Sequence, residues 1–295
     1  MMKNNNTLSQ RKGILLAGGQ ATRLYPTSKV CSKHLLPVYD KPMIYYSLSL
    51  LMLSGITEVF IIVKSDDLVQ YQRLLNDGRH LGMQISYGIQ DQANGIPEAL
   101  ILAEDFIQGY PVCLVLGDNI LFGSGLQTQL SEASNSKLNT IFTQNVKDPQ
   151  RFGIVHREND KIKKIIEKPN FPCGTEAVLG VYFLDNEACK LAKLLSPSGR
   201  NETEIVDLLN LVNEKKNLDV KQLTRGAVWF DAGTPDALLE ASNFIAAVQS
   251  RQNSKIACLE EIALRMDFID YAFFWELISE LPHGNYRDYL EQIHD

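Results

Sequence analysis

Between residues 12 and 145, short apolar runs alternate with segments of helical periodicity, and this alternation does most to limit the folds open to the chain. The runs at 13–17, 58–63, 84–90, 112–116 and 139–143 are strand-like, and those at 41–54, 66–76, 96–107 and 125–134 repeat their apolar positions at helical spacing. Strands separated by helices predict an α/β fold, a mostly parallel mixed sheet flanked by helices. Ligands in such sheets bind at the carboxyl ends of the strands. Two glycine-bearing strand ends, at Gly18 and Gly117, fall there.

At the first of these ends, the strand Ile14 to Ala17 breaks at Gly18-Gly19, and Arg23, Lys29 and Lys33 follow. Without a Cβ the glycine backbone can turn sharply and bring bare N–H groups close to a ligand. A fork-shaped donor with point charges behind it suits a polyphosphate. The dipeptide alone is equally a plain tight turn. Two phosphate motifs are excluded: Ala21 and Leu24 break G-x-G-x-x-G, and no G-K-S/T is present. The helix at 41–54 has Asp40 placed to cap it, Pro42 in its first turn and Gly55 just past its end.

A second strand end, Leu116-Gly117-Asp118-Asn119, carries a carboxylate, and Val228-Trp229-Phe230-Asp231-Ala232-Gly233 repeats the pattern. Such an aspartate is a turn former or a metal ligand. Glu167-Lys168-Pro169 follows a third strand-like run and reads alone as a charged surface turn.

The whole string decides more than its parts. Gly18-Gly19, Thr22-Arg23-Leu24, Pro26, Lys33, Leu35-Leu36-Pro37-Val38 and Asp40-Lys41-Pro42-Met43-Ile44 resemble the signature of the sugar-1-phosphate nucleotidylyltransferases. The run LLPVYDKPMIYY is similar to the glucose-1-phosphate thymidylyltransferase branch, and the resemblance continues to about residue 290. It implies a Rossmann-like nucleotidyltransferase fold and transfer of a thymidylyl group from dTTP to glucose 1-phosphate. The products would be dTDP-glucose and pyrophosphate, with Mg²⁺ as cofactor, in supply of dTDP-sugars such as rhamnose.

Carried over residue by residue, the resemblance makes Arg23 and Lys33 catalytic and gives the nucleotide Gly18, Gly19, Thr22, Arg23, Lys33 and Asp118. It assigns base reading to Gln90 and Gly95, and the metal to Asp118 and Asp231. The sugar phosphate falls to Asn119, Gly153, Glu167, Lys168 and Val178. It further implies a homotetramer with a second nucleotide site near Arg225 and residues 251–255. The implied nucleophile is a phosphate monoester with a second pKa near 6, already ionised at neutral pH, so no general base is required.

The chain departs from the pattern at several places. Ala21, Asn201 and Asn253 stand where the family has glycine, and His34 where it has glutamine. Pro97-Glu98 replaces Ala-Gln, Cys173-Gly174 replaces Lys-Ser, Pro235 replaces histidine and Ser254 replaces leucine. These changes leave open a related enzyme preferring UTP or another hexose 1-phosphate, and a non-catalytic nucleotide-sensing relative.

Beyond residue 150 the alternation loosens. Strand-like pieces at 151–157, 162–167, 177–185 and 218–231 and helical pieces at 186–195 and 202–215 predict a sugar-side subdomain continuous with the first sheet. The expected organisation is a polar tail over 1–11, a nucleotidyltransferase domain over 12–250 and a helical region over 251–295. Within that domain, 12–145 would serve the nucleotide and 146–234 the sugar. The last region holds Phe268, Tyr271, Phe273, Phe274 and Trp275, which either fill a core or meet another subunit.

Composition narrows the partners. A net charge of −6 argues against a sequence-independent nucleic-acid binder. Apolar runs are too short to span a bilayer. Five cysteines without paired spacing read as reduced thiols of a cytoplasmic protein.

Overall fold

The computed structural model describes residues 9–19, 21–92 and 94–294. In chain order its strands are β1 (Lys12–Leu16), β2 (Pro37–Val38), β3 (Lys41–Pro42), β4 (Glu58–Val63), β5 (Gln84–Ile89), β6 (Val112–Leu116), β7 (Asn119–Phe122), β8 (Asn139–Asn145), β9 (Gly153–Glu158), β10 (Lys161–Glu167), β11 (Glu176–Leu184), β12 (Leu218–Gln222) and β13 (Val228–Asp231). The first helices are α1 (Met43–Leu53), α2 (Leu68–Leu75), α3 (Glu98–Leu102), α4 (Glu104–Ile107) and α5 (Leu126–Asn135). After them come α6 (Asn186–Ala192), α7 (Ile205–Glu214), α8 (Pro235–Gln252), α9 (Leu259–Arg265), α10 (Tyr271–Glu280) and α11 (Asn285–Leu290).

Nine of the described strands form one sheet in the order β10-β9-β11-β6-β1-β4-β5, with β8 on β11 and β12 on β8. Strands β6, β1, β4 and β5 are parallel to one another, as the helices between them require. Strand β11 runs antiparallel to β6, β8 and β9, and β9 to β10, so β9 and β10 are joined to the first sheet through β11. With β8·β12 also parallel, the two kinds of pairing are evenly balanced, less parallel than the alternation over 12–145 suggests. The antiparallel pairs come from β9, β10 and β11, which follow one another without the crossover helix that parallel pairing needs.

β1 is covered on both sides, and its KGILL sequence is accordingly a continuous apolar run. Ile14 and Leu15 are fully buried but join different clusters, one on each face of the sheet. Four local expectations are corrected. Residues 218–231 form two strands in two sheets, because the chain turns at Gly226, whose φ is +91°. α1 starts at Met43 behind an extended Pro42 with no side-chain cap; Asp40 instead pairs with Lys41 and with Lys255 at 2.8 Å. The helix expected over 96–107 breaks at Ala103 into α3 and α4. Arg11, grouped with the polar tail, is buried: its guanidinium donates to the carbonyls of Ser134 (2.8 Å), Leu184 (2.9 Å) and Ser136 (2.6 Å). Five planar donors can satisfy carbonyls at several strand and helix ends at once, as a lysine could not. The rest of that tail, 1–8, lies outside the described residues.

The C-terminal helices are part of the main core. Leu259, Ala263, Phe274, Ile278, Leu290 and Ile293 belong to the same apolar cluster as Leu48 and Leu51 of α1. Phe274 is fully buried, whereas Phe273 and Trp275 remain 41% and 37% exposed. The cysteines at 31, 113, 173, 189 and 258 are all free thiols. Among the described residues no helix is long and apolar enough to cross a membrane.

Candidate active site

Three parallel strands deliver the first wall of the site from their carboxyl ends. β1 ends before Ala17-Gly18-Gly19, β5 before Gln90 and β6 before Gly117-Asp118. The glycines are needed for closeness. A β-carbon at Gly18 would lie 3.3 Å from the Gln90 carbonyl oxygen, and one at Gly117 only 2.7 Å from His34 Cδ2. A β-carbon at Gly19 would face Lys33 Nζ at 3.9 Å. The loop then runs through three short 3₁₀ turns at Thr22–Leu24, Thr27–Lys29 and Lys33–Leu35. Thr22 and Arg23 are exposed on it, and Leu24 anchors it. The positive φ is at Ala21 (+51°), not at Gly18 or Gly19.

The two aspartates, far apart in sequence, are brought together by a ribbon the sequence concealed. β7 pairs antiparallel with β13, setting Asn119 opposite Asp231, and the Ala232 N–H donates to the Asp118 carbonyl at 3.0 Å. Their carboxyls are held differently. Burial would raise Asp118, but the Lys33 ammonium, bonded directly to it, and Asn119 Nδ2 at 3.1 Å hold it below the usual carboxylate range. Asp231 is pushed upward by burial and by the charge of Asp118, against the opposing pull of Arg23, Lys33 and Arg151. Arg151 Nη2 lies 3.5 Å from Asp231 Oδ2. Arg23 lies over the glycine next to it: a β-carbon at Gly233 would be 2.8 Å from Arg23 Nη2.

His34 sits behind this cluster, buried and held neutral by burial and by Lys33, its pKa lowered to about 3. Its Nδ1 is 3.2 Å from Ser32 Oγ. Asn119, expected at the sugar phosphate, is 3% exposed and bonded to its neighbours. Its Oδ1 accepts from the Gly180 N–H (2.9 Å) and from Trp229 Nε1 (2.7 Å), while its amide nitrogen orients Asp118.

The second wall lies on β9, β10 and β11. Gly153 is opposite Glu167 in register, and a β-carbon there would be 2.9 Å from Val206 Cγ2 and 3.3 Å from Glu167 Oε2. Val178 packs nearby with Val155, Ile165 and Val206. Lys168 leaves β10 with φ +42°, its N–H on the Phe152 carbonyl and its Nζ 3.4 Å from Glu167. Arg200, which the sequence did not single out, meets the same carboxylate: Nη2 is 3.1 Å from Glu167 and 2.6 Å from Glu204. Neither Arg151 nor Arg200 carries a periodic or motif signal; both lie in irregular segments before a strand or helix.

A bridge closes the loop after β5. Gly95 (φ +109°) pairs with Thr203, and a β-carbon there would fall 2.0 Å from the Thr203 carbonyl oxygen. Thr203 donates its N–H (2.8 Å) and its hydroxyl (2.9 Å) to the Asn94 carbonyl. Gln90 is buried beside Gly18 and donates its amide to Glu98.

Arg23 and Lys33 on one side and Lys168 and Arg200 on the other bring four cations to the strand ends around the paired aspartates. Residues 12–248 match the family model described as nucleotidyl transferase. The chain belongs to this nucleotidyl transferase family. It is 47% identical over 284 residues to the glucose-1-phosphate thymidylyltransferase of Neisseria meningitidis serogroup A, covering 96% of this chain and 99% of that one. The Mycobacterium tuberculosis protein of the same name is 40% identical, with 96% and 98% covered. Among solved structures, a Bacillus anthracis chain described as a glucose-1-phosphate thymidylyltransferase, in complex with a sucrose, matches with a TM-score of 0.74 and 38% identity. That match covers 79% of this chain and 94% of the other. A UDP-glucose pyrophosphorylase shares the fold, with a TM-score of 0.72 at 24% identity over 82% of this chain and 99% of its own.

Proposed function

We propose that this nucleotidyltransferase transfers a thymidylyl group from dTTP to glucose 1-phosphate, releasing pyrophosphate and dTDP-glucose for dTDP-sugar synthesis in the cytoplasm. The observation that carries the reading is this grouping of charges. Four cations stand on two walls over a carboxylate pair, at the carboxyl ends of strands, in a chain 47% identical to an enzyme of that name.

Arg23 and Lys33 hold the triphosphate and meet the charge that develops at its α-phosphorus. Lys168 and Arg200 hold the attacking phosphate in line, and Glu167, Gly153 and Val178 line the sugar side. Bringing two anions together in a fixed orientation accounts for much of such a rate, and the preorganised cations supply the rest. No residue needs to take a proton from the nucleophile, which is ionised at neutral pH.

The donor set fits Mg²⁺. Among the described residues no group of three or more His, Cys, Asp or Glu side chains converges. Two adjacent carboxylates, one destabilised by the other, are what a Mg²⁺ that keeps waters and phosphate oxygens as its other ligands requires. Asp118 and Asp231 would hold it, and the ion would neutralise charge on the phosphates. Asn119 orients Asp118 and lines the sugar-phosphate side. The enzyme is expected to assemble as a homotetramer.

The test is kcat/KM for dTTP, UTP, dCTP, dATP and GTP with glucose 1-phosphate and Mg²⁺. We expect dTTP first, UTP behind by at most about two orders of magnitude because only the thymine methyl and the ribose 2′ position separate them, and purines poor. A purine triphosphate used better than dTTP overturns the reading.

A further inference from the structure

We propose that Glu98 is a positioning residue that fixes which way the Gln90 amide faces, and so excludes cytosine from the base site. The proposal rests on the reading above, in which Gln90 meets the base. Gln90 is 8% exposed at the end of β5, and its Nε2 donates to Glu98 Oε2. The other carboxylate oxygen, Oε1, accepts from Asn94 Nδ2 at 2.8 Å. Asn94 is itself held by its carbonyl, which receives both bonds from Thr203. The Gln90 carbonyl oxygen Oε1 is turned the other way, 3.5 Å from where a β-carbon of Gly18 would stand.

A carboxylate only accepts hydrogen bonds, whereas an amide has a donating and an accepting end. Turning the Gln90 amide over would set its oxygen against Glu98 Oε2. That loses a charge-assisted bond and leaves two acceptors facing each other in a half-buried place. Gln90 therefore presents one pattern to the base, an accepting oxygen and its remaining N–H. Thymine and uracil answer with the N3–H donor and a carbonyl acceptor. Cytosine has an acceptor at N3 and a donating amino group beside it, and it needs the reversed amide. A glutamine at position 98 would impose no such direction, because it can turn its own amide to match either orientation.

The experiment compares kcat/KM for dTTP, UTP and dCTP in the unaltered protein, Glu98→Gln and Glu98→Ala, with unfolding temperatures as a check on folding. Both variants are expected to lower the dTTP-to-dCTP ratio by about 10- to 100-fold, the worth of one buried charge-assisted hydrogen bond. The dTTP-to-UTP ratio should stay within about threefold, since both bases present the same edge. In the unaltered protein, N3-methyl-dTTP, which lacks the N3–H, should be rejected together with dCTP. A dTTP-to-dCTP ratio unchanged in a folded variant, or N3-methyl-dTTP accepted by the unaltered protein, overturns the role of Glu98 and leaves the thymidylyl reading standing. A protein that uses none of the pyrimidine triphosphates overturns both.

Discussion

Ala21, Asn201 and Asn253 show how substitutions at single residues can keep a backbone intact. All three stand where the family resemblance has glycine, and all three are left-handed, at φ +51°, +59° and +48°. Asparagine tolerates that region well, and alanine strains it by about 1–2 kcal/mol. The loop at Ala21 thus carries a local cost. The opening cations and both aspartates were legible in the sequence because strand ends and glycines marked them. Arg151 and Arg200 were not, since a lone arginine in a loop declares no direction until the fold supplies its partners. Nor could the sequence show that the aspartates are unequal. Asp118 is neutralised by Lys33, whereas Asp231 is raised by burial and by Asp118. We therefore expect Asp118→Asn and Asp231→Asn each to lower kcat by orders of magnitude, yet to differ in stability. Asp118→Asn leaves Lys33 without its charge partner and should cost about 3 kcal/mol. Asp231→Asn removes a repulsion and should be neutral or stabilising. Thermal unfolding beside steady-state kinetics checks both; near-normal turnover in both variants at saturating Mg²⁺ removes the metal assignment.

Among the elements, the buried strands were legible because a continuous apolar run between turn signals has few other uses; β4 and β6 fall at the predicted 58–63 and 112–116. β7 was not legible. It has four residues, follows Gly117-Asp118 directly, and gains its meaning only from pairing with β13. The single strand expected over 218–231 failed for the same reason, since the turn at Gly226 sends β12 to one sheet and β13 to another. The bridge between Gly95 and Thr203 is likewise a tertiary fact. It ties the base loop to the segment that carries Arg200 and Glu204, so the two substrate sides share a support. Gly95→Ala would drive a β-carbon into the Thr203 carbonyl, where nothing flexible can yield. We expect KM for dTTP to rise at least about tenfold, as a misplacement of about 1 Å in a positioning loop commonly does. An unchanged KM would show that the bridge does not support the base site.

The whole molecule joins a parallel half to an antiparallel half through β11. The C-terminal helices contribute Phe274, Ile278 and Leu290 to the main core, so they cannot be a detachable module. Phe273, Trp275 and, on α8, Leu239 remain exposed, the last at 61%. Light scattering at micromolar concentration should return the mass of four 33.2 kDa chains, and a monomer would defeat the proposed assembly. The central claim is that the phosphate of glucose 1-phosphate attacks the α-phosphorus of dTTP. Its most direct test follows two labels in parallel reactions with glucose 1-phosphate, one with α-³²P-dTTP and one with γ-³²P-dTTP. The account predicts that the α label appears in dTDP-glucose and the γ label in pyrophosphate. Transfer of the γ label to the sugar, or release of the α label as free dTMP without a sugar nucleotide, would contradict it.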